Sequence, residues 1–236
     1  MDQHGVRAEQ GHKRVRGYLG GELVVDTVRP MLVWEHARYP AYYFPAEDVR
    51  AELLPAPADS AGPVGDGTVF DIVVATGTAA GAAVRFHDPP ALRPFVRIDW
   101  NAMEEWLEED EPVYVHPRDP YTRVDILSSS RRVEVWVDGV IVAESRQPRI
   151  LFETGHPPRF YLPLTGLRQD LLRRSTTLTR CPYKGTAEYF SVVTGDTVHS
   201  DLVWMYRSPL PESAKIAGLA CFYSERVQLL VDDVRL

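Results

Sequence analysis

The sequence predicts a mainly antiparallel β fold built twice in tandem, each copy a small domain with short helices. Three observations carry this. First, the chain repeats itself: Arg14 to Leu54 lies over Arg132 to Leu172 at a constant offset of 118 without a gap, and 12 of those 41 positions are identical. Gly21/Gly139, Pro30/Pro148, Glu35/Glu153, Pro40/Pro158, Tyr43/Tyr161 and Pro45/Pro163 are among them, and the same offset aligns Gly67-Thr68 with Gly185-Thr186, Thr76-Gly77 with Thr194-Gly195 and Ile98 with Ile216. Second, Val133, Val135 and Val137 alternate with Glu134, Trp136 and Asp138, the period of two that marks a half-buried strand. Third, the connections are short and rich in turn residues. The expected domains are residues 12–118 and 119–236. A period this long is not that of a solenoid, whose repeats of about 20–50 residues depend on their neighbours.

Each copy opens with a hairpin. Asp138-Gly139 suits a type I′ turn, which needs positive φ at both central residues, and copy one places Gly20-Gly21 at the same point. A third strand is expected at Ile150 to Glu153 (Leu32 to Glu35 in copy one), then a Pro-bounded one at Arg159 to Pro163 (Ala41 to Pro45). Short helices are expected at Gly166 to Arg174 and Asp48 to Leu54. Later strands are Ala187 to Val193, Leu202 to Tyr206, Leu219 to Tyr223 and Arg226 to Val231, and Asp232-Asp233 reads as a turn. Asn101 with Glu104 three residues on resembles a capping box, so Asn101 to Asp110 reads as a surface helix with an acidic side. Pro55 to Gly67 reads as an exposed loop, and Pro117 to Tyr121 with Ser128 to Ser130 as the connection between copies.

Composition narrows the function. A net charge of −7 argues against nucleic acid or an anionic membrane as the main partner. No run approaches the roughly 20 apolar residues needed to span a bilayer, and the polar start, Met1 to Gly11, is not a signal peptide. Two cysteines, Cys181 and Cys221, exclude a disulfide framework and fit a reducing cytoplasm. Neither has zinc-ligand spacing and the seven His form no pair, so no metal and no cofactor is expected. Arg outnumbers Lys by 23 to three, which sets Lys184 apart.

The segment richest in chemistry is Thr179 to Phe190. Pro182 and Gly185 make Cys181 to Gly185 a turn leading into a strand. Cys181 and Lys184 then lie close enough for the ammonium to favour a thiolate; equally, Cys181 is a small buried hydrophobe and Lys184 a structural or binding cation. On the following strand Leu202, Trp204 and Tyr206 share a face. With Tyr161, Tyr183 and Tyr189 they make either an aromatic-walled pocket or an ordinary aromatic core. Glu153 ends an apolar run and is matched by Glu35; it is either an acid–base carboxylate or a fixed acceptor at a strand end. At the constant offset copy one has Pro63, Val64, Gly65 and Asp66 for Cys181 to Lys184, and Phe86 and Asp88 for Trp204 and Tyr206, so the site is expected in copy two. There is no Gly-x-Ser-x-Gly elbow and no phosphate-binding Gly-rich loop.

Val137-Asp138-Gly139, Leu151-Phe152-Glu153-Thr154-Gly155, Tyr161-Leu162-Pro163, Thr179 to Ala187 with its Cys-Pro-Tyr-Lys-Gly box, Trp204-Met205-Tyr206 and Ile216-Ala217-Gly218 together resemble the domain of unknown function number 427 of bacteria and fungi. The resemblance covers Arg131 to Leu236, and copy one resembles a diverged member. It implies a compact antiparallel fold of the β-tent kind and no known reaction. The family label mentions nucleotidyl transfer, but no acidic metal pair on a Gly-Ser motif is found here.

The expectation is therefore a cytoplasmic small-molecule-binding β module. Lys184 supplies charge, Tyr161, Tyr183, Tyr189, Trp204 and Tyr206 supply walls, and Glu153 supplies an acceptor. The alternative is a thiol-dependent enzyme with Cys181 as nucleophile and Lys184 as activator. Lys184→Ala is expected to remove binding while barely changing stability.

Overall fold

The computed structural model describes residues 7–56 and 67–236. The expected loop from Pro55 to Gly67, and with it the copy-one counterparts Pro63 to Asp66, falls largely outside the described residues. The chain divides into two compact units, one ending at Asp119 and the other running from Pro120 to Leu236.

The first unit contains β1 (Arg7–Gln10), β2 (Val15–Leu19), β3 (Glu22–Thr27), β4 (Met31–Trp34), β5 (Ala41–Pro45), β6 (Glu52–Pro55), β7 (Gly67–Val74), β8 (Gly77–Phe86), β9 (Phe95–Ile98), β10 (Glu105–Glu108) and β11 (Glu111–Pro112). The second contains β12 (Val124–Ser128), β13 (Val133–Val137), β14 (Val140–Ser145), β15 (Arg149–Glu153), β16 (Arg159–Leu162), β17 (Leu172–Cys181), β18 (Gly185–Thr194), β19 (Thr197–Met205), β20 (Ala220–Phe222), β21 (Gln228–Val231) and β22 (Val234–Arg235). Each unit has a seven-stranded antiparallel sheet, ordered β1-β4-β5-β9-β8-β7-β6 and β12-β15-β16-β20-β19-β18-β17. Each also has a four-stranded one, β11-β10-β2-β3 and β22-β21-β13-β14. Strand for strand the two topologies are the same. Even the bulge in the first hairpin recurs, between Gly17 and Tyr18 and between Val135 and Trp136.

The hairpin turns form as their residues require. Asp138 and Gly139 sit at φ of 49° and 77°, Gly20 and Gly21 at 57° and 76°, and Asp232 and Asp233 make a third such turn at 51° and 66°. Each unit buries its own core. In the first, Val15, Val24, Val25, Phe44, Ile72, Val96 and Trp106 pack together. In the second, Val133, Val135, Leu162, Val192, Leu202, Val203 and Val231 do the same.

Three expected helices are replaced by single 3₁₀ turns followed by strand. Ala46–Asp48 turns and β6 follows. Leu164–Gly166 and Gln169–Leu171 turn and β17 follows, with Leu172 opposite Val192. Helices this short are marginal in water, whereas pairing of β6 with β7 and of β17 with β18 joins each segment to a long ladder. In the acidic segment Asp99, not Asn101, caps a turn at Trp100–Ala102, its carboxylate accepting from the Asn101 N–H. Glu105–Glu108 then pairs with β2. Trp106 decides that outcome. It is 3 % exposed and lies against Gly17, where a Cβ would sit 2.7 Å from the indole ring. In the second unit the same ladder position pairs Val135 with Leu229, two medium side chains in place of one large and one absent.

The offset between the copies also changes along the chain. It is 118 at Tyr43 and Tyr161. The hairpin mouths Val74–Gly77 and Thr194–Thr197 differ by 120. Tyr43 pairs with Arg97 but Tyr161 with Cys221, a difference of 124. The ladders therefore set Val84 against Trp204 and Phe86 against Tyr206. Phe86 is not the counterpart of Trp204, and Ile98 is not that of Ile216, because connections between strands gained residues while the strands kept their partners.

Candidate functional site

In the second unit the fold gathers most of the residues singled out from sequence. β15 ends on Glu153, and the β17–β18 hairpin brings Lys184 across to it, with Nζ donating to Oε2 at 2.5 Å. Both side chains are largely buried, 11 % and 13 % exposed. Tyr161, Tyr189, Trp204 and Tyr206 pack with Ile126, Leu151 and Cys221 in one cluster. The Trp204 indole N–H donates to the Tyr161 hydroxyl at 3.1 Å, and the rings meet edge to face. The Tyr189 hydroxyl bonds Thr179 Oγ1 at 2.9 Å. Burial, with Cys221 and Glu153 adding negative charge nearby, pushes the Tyr161 hydroxyl far above its ordinary range. Burial does the same for Tyr206, whose next causes are Cys181, Tyr189 and Glu153. Tyr183 contributes its backbone carbonyl, which accepts from Ser213 Oγ. Leu202 belongs to the other core cluster of the unit, away from Trp204.

A small cavity in the second unit, about 10 Å³, is lined by other residues, among them Val135, Phe160 and Phe222. Cys181 sits half-buried at the hairpin mouth opposite Gly185. Cys221 is fully buried, and desolvation pushes its thiol up, which makes it inert.

The first unit keeps the carboxylate and changes the cation. Glu35, the counterpart of Glu153, accepts from Arg97 through Nε at 2.5 Å and Nη2 at 3.1 Å. It also accepts from the Tyr43 hydroxyl at 3.0 Å. Arg97 occupies the ladder position of Cys221, so the cation comes from a neighbouring strand rather than from a hairpin tip. Burial beside Glu35 holds the Tyr43 proton on far above the usual tyrosine range.

Above this pair lies a cavity of about 280 Å³. One side is aromatic. Trp100 and Trp106 stack at 4.8 Å between centroids, Phe44 stacks on Trp106 at 5.6 Å, and Tyr42 stands tilted 6.5 Å from Trp100. The lining also holds Tyr39 stacked on His116 at 3.6 Å, with His36 edge-on to Tyr39. The Trp106 indole N–H is spent on the Trp100 carbonyl, and the Tyr42 hydroxyl on Glu108. Glu35, Arg97, Asp99 and Asn101 supply the polar part of the lining. His116 Nδ1 donates to the Pro117 carbonyl at 2.7 Å. Burial lowers its affinity for a second proton, so the ring is a neutral imidazole with an acceptor lone pair on Nε2. Among the described residues no group of three or more His, Cys, Asp or Glu is placed to hold a metal ion.

A family model described as a domain of unknown function (DUF427) matches residues 7–109 and again 125–233. The chain belongs to the DUF427 family. Both copies are DUF427 domains, in agreement with the repeat and with the common strand order. No curated relative matches the chain. Among the described residues no helix is long and apolar enough to cross a membrane.

Apart from Glu35, sequence reasoning passed over the residues that line the aromatic cavity of the first unit. Trp106 fell in the expected surface helix and Trp100 beside it, while Pro117 opened the expected connection and His116 lay beside it. One signal was available. A segment with two tryptophans six residues apart has more apolar surface than a solvated acidic helix can cover.

Proposed function

We propose that this DUF427 tandem is a small-molecule-binding module whose ligand occupies the cavity of the first unit. The single observation behind the reading is the cavity itself: aromatic walls with a few fixed polar groups are the composition of a small-molecule site. Its volume of about 280 Å³ corresponds to roughly nine waters at about 30 Å³ each, so the ligand is small. The second unit supplies a structural counterpart, in which Lys184 neutralises Glu153 and the tyrosines and Trp204 pack on one another.

The thiol-enzyme reading rests on Cys181 near Lys184. It is weakened because the Lys184 ammonium is committed to Glu153, and a cation paired with a carboxylate does little to lower a thiol pKa. A fragment screen followed by the indole Nε1 NMR signals of Trp100 and Trp106 tests the proposal. Hits should shift both signals, lose affinity in Trp100→Ala and keep it in Cys181→Ser. Hits that shift only Trp204, or binding and turnover abolished by Cys181→Ser, would move the function to the second unit.

A further inference from the structure

We infer that the first-unit cavity selects a planar organic cation, an inference that rests on the reading of this cavity as a ligand site. The argument is a balance of charge against surface. The lining holds one guanidinium and two carboxylates. Arg97 already gives two donors to Glu35, one to each carboxylate oxygen, so this pair carries no net charge into the cavity. Asp99 is left over. Its carboxylate accepts from the Asn101 backbone N–H at 3.1 Å and shares the field of Arg97 with Glu35, so two carboxylates face one guanidinium. His116 is a neutral ring whose Nε2 can only accept, because its one proton sits on Nδ1 and is donated in the hydrogen bond to the Pro117 carbonyl. The charged groups therefore sum to one negative charge, and His36 and Asn101 add donors beside the acceptors.

The apolar groups point the same way. Trp100 and Tyr39 present π surface, with Trp106, stacked on both Trp100 and Phe44, backing the wall; the negative face of a ring attracts a cation within about 6 Å of its centroid. A planar anion would meet Asp99 and the ring faces with the wrong sign. A neutral planar ligand would gain the stacking and at most a hydrogen bond from the excess carboxylate, without the attraction between charges. A flat ring with delocalised positive charge, such as an N-alkylated heteroaromatic, satisfies both the walls and the charge. Its small size follows from the volume.

Three compounds of nearly equal size separate the possibilities: N-methylpyridinium, toluene and benzoate. Each is titrated into the full chain and followed by the Trp100 and Trp106 indole signals. N-methylpyridinium should bind tightest. Trp100→Ala should weaken it by about 2- to 30-fold, the range of a cation–π contact. Asp99→Asn keeps the side-chain acceptor for the Asn101 N–H and so keeps the turn. It should weaken N-methylpyridinium while leaving toluene unchanged. Toluene or benzoate binding more tightly than N-methylpyridinium, or selectivity unaltered by Asp99→Asn, overturns the charge inference and leaves the cavity as a site. If none of the three moves either indole signal, both the inference and the site reading fail.

Discussion

The carboxylates Glu35 and Glu153 show how one residue can be retained while its chemistry is rewritten. Glu153 ends β15 and Glu35 directly follows β4, and both are largely buried, yet one is held by an ammonium from a hairpin tip and the other by a guanidinium from β9. Lys184 is consequently no solvated loop residue; it is 9 % exposed and its loss strands a buried charge. Lys184→Ala is therefore expected to destabilise the second unit by about 3–5 kcal/mol, the usual result of breaking a buried ion pair from one side. This reverses the small effect expected from sequence. Replacing both partners, Glu153→Leu with Lys184→Met, should recover most of it, because two apolar groups no longer need each other. Urea denaturation of the three proteins measures this directly; a Lys184→Ala midpoint equal to wild type would show that the pair contributes nothing.

At the scale of elements, the hairpin tips of the second unit are tied together. The Asp138 carboxylate, in the β13–β14 turn, accepts from Thr194 Oγ1 at 2.6 Å and from His199 Nε2 at 2.6 Å, both at the β18–β19 end. These bonds, Thr194 first, hold its carboxyl below the usual range. A carboxyl depressed by folding contributes stability above its unfolded value, near 3.9, and loses that contribution as pH falls through the folded value. The Asp138 side chain should therefore titrate by NMR with a midpoint below about 3.9, and the tips should part only in that acid range. A midpoint at or above that value would mean that the tie is absent in solution. The turns themselves were legible in the sequence, because Asp-Gly, Gly-Gly and Asp-Asp need positive φ and few other dipeptides tolerate it. The duplication and the strand pattern were legible for the same kind of local reason. The three short helices were misread because Leu172 and Trp106 have their partners far away in sequence, and pairing with them outweighs a local turn preference. The cavity was invisible for a related reason: its walls come from the loop between β4 and β5, from β5, β9, the turn after β9, β10 and the stretch near His116, which only the ladders bring together.

At the scale of the whole molecule, every core cluster lies within one unit. Asp119, 8 % exposed, takes the Trp34 indole N–H at 2.7 Å, and β1 completes the edge beside β4. A first half that runs from the chain start through Asp119, and a second from Pro120 onward, should each unfold cooperatively when expressed separately; calorimetry of the halves checks this, and a half without a transition would show that the units fold only together. The stacked tryptophans offer a way to watch this in the intact chain. Two stacked indoles 4.8 Å apart couple their electronic transitions, and their contribution to far-ultraviolet circular dichroism changes when the stack opens. Trp136 and Trp204, the tryptophans of the second unit, have no such neighbour among the described ring contacts. The optical activity of this pair therefore reports the melting of one half, and any molecule that wedges against Trp100, without a label being attached.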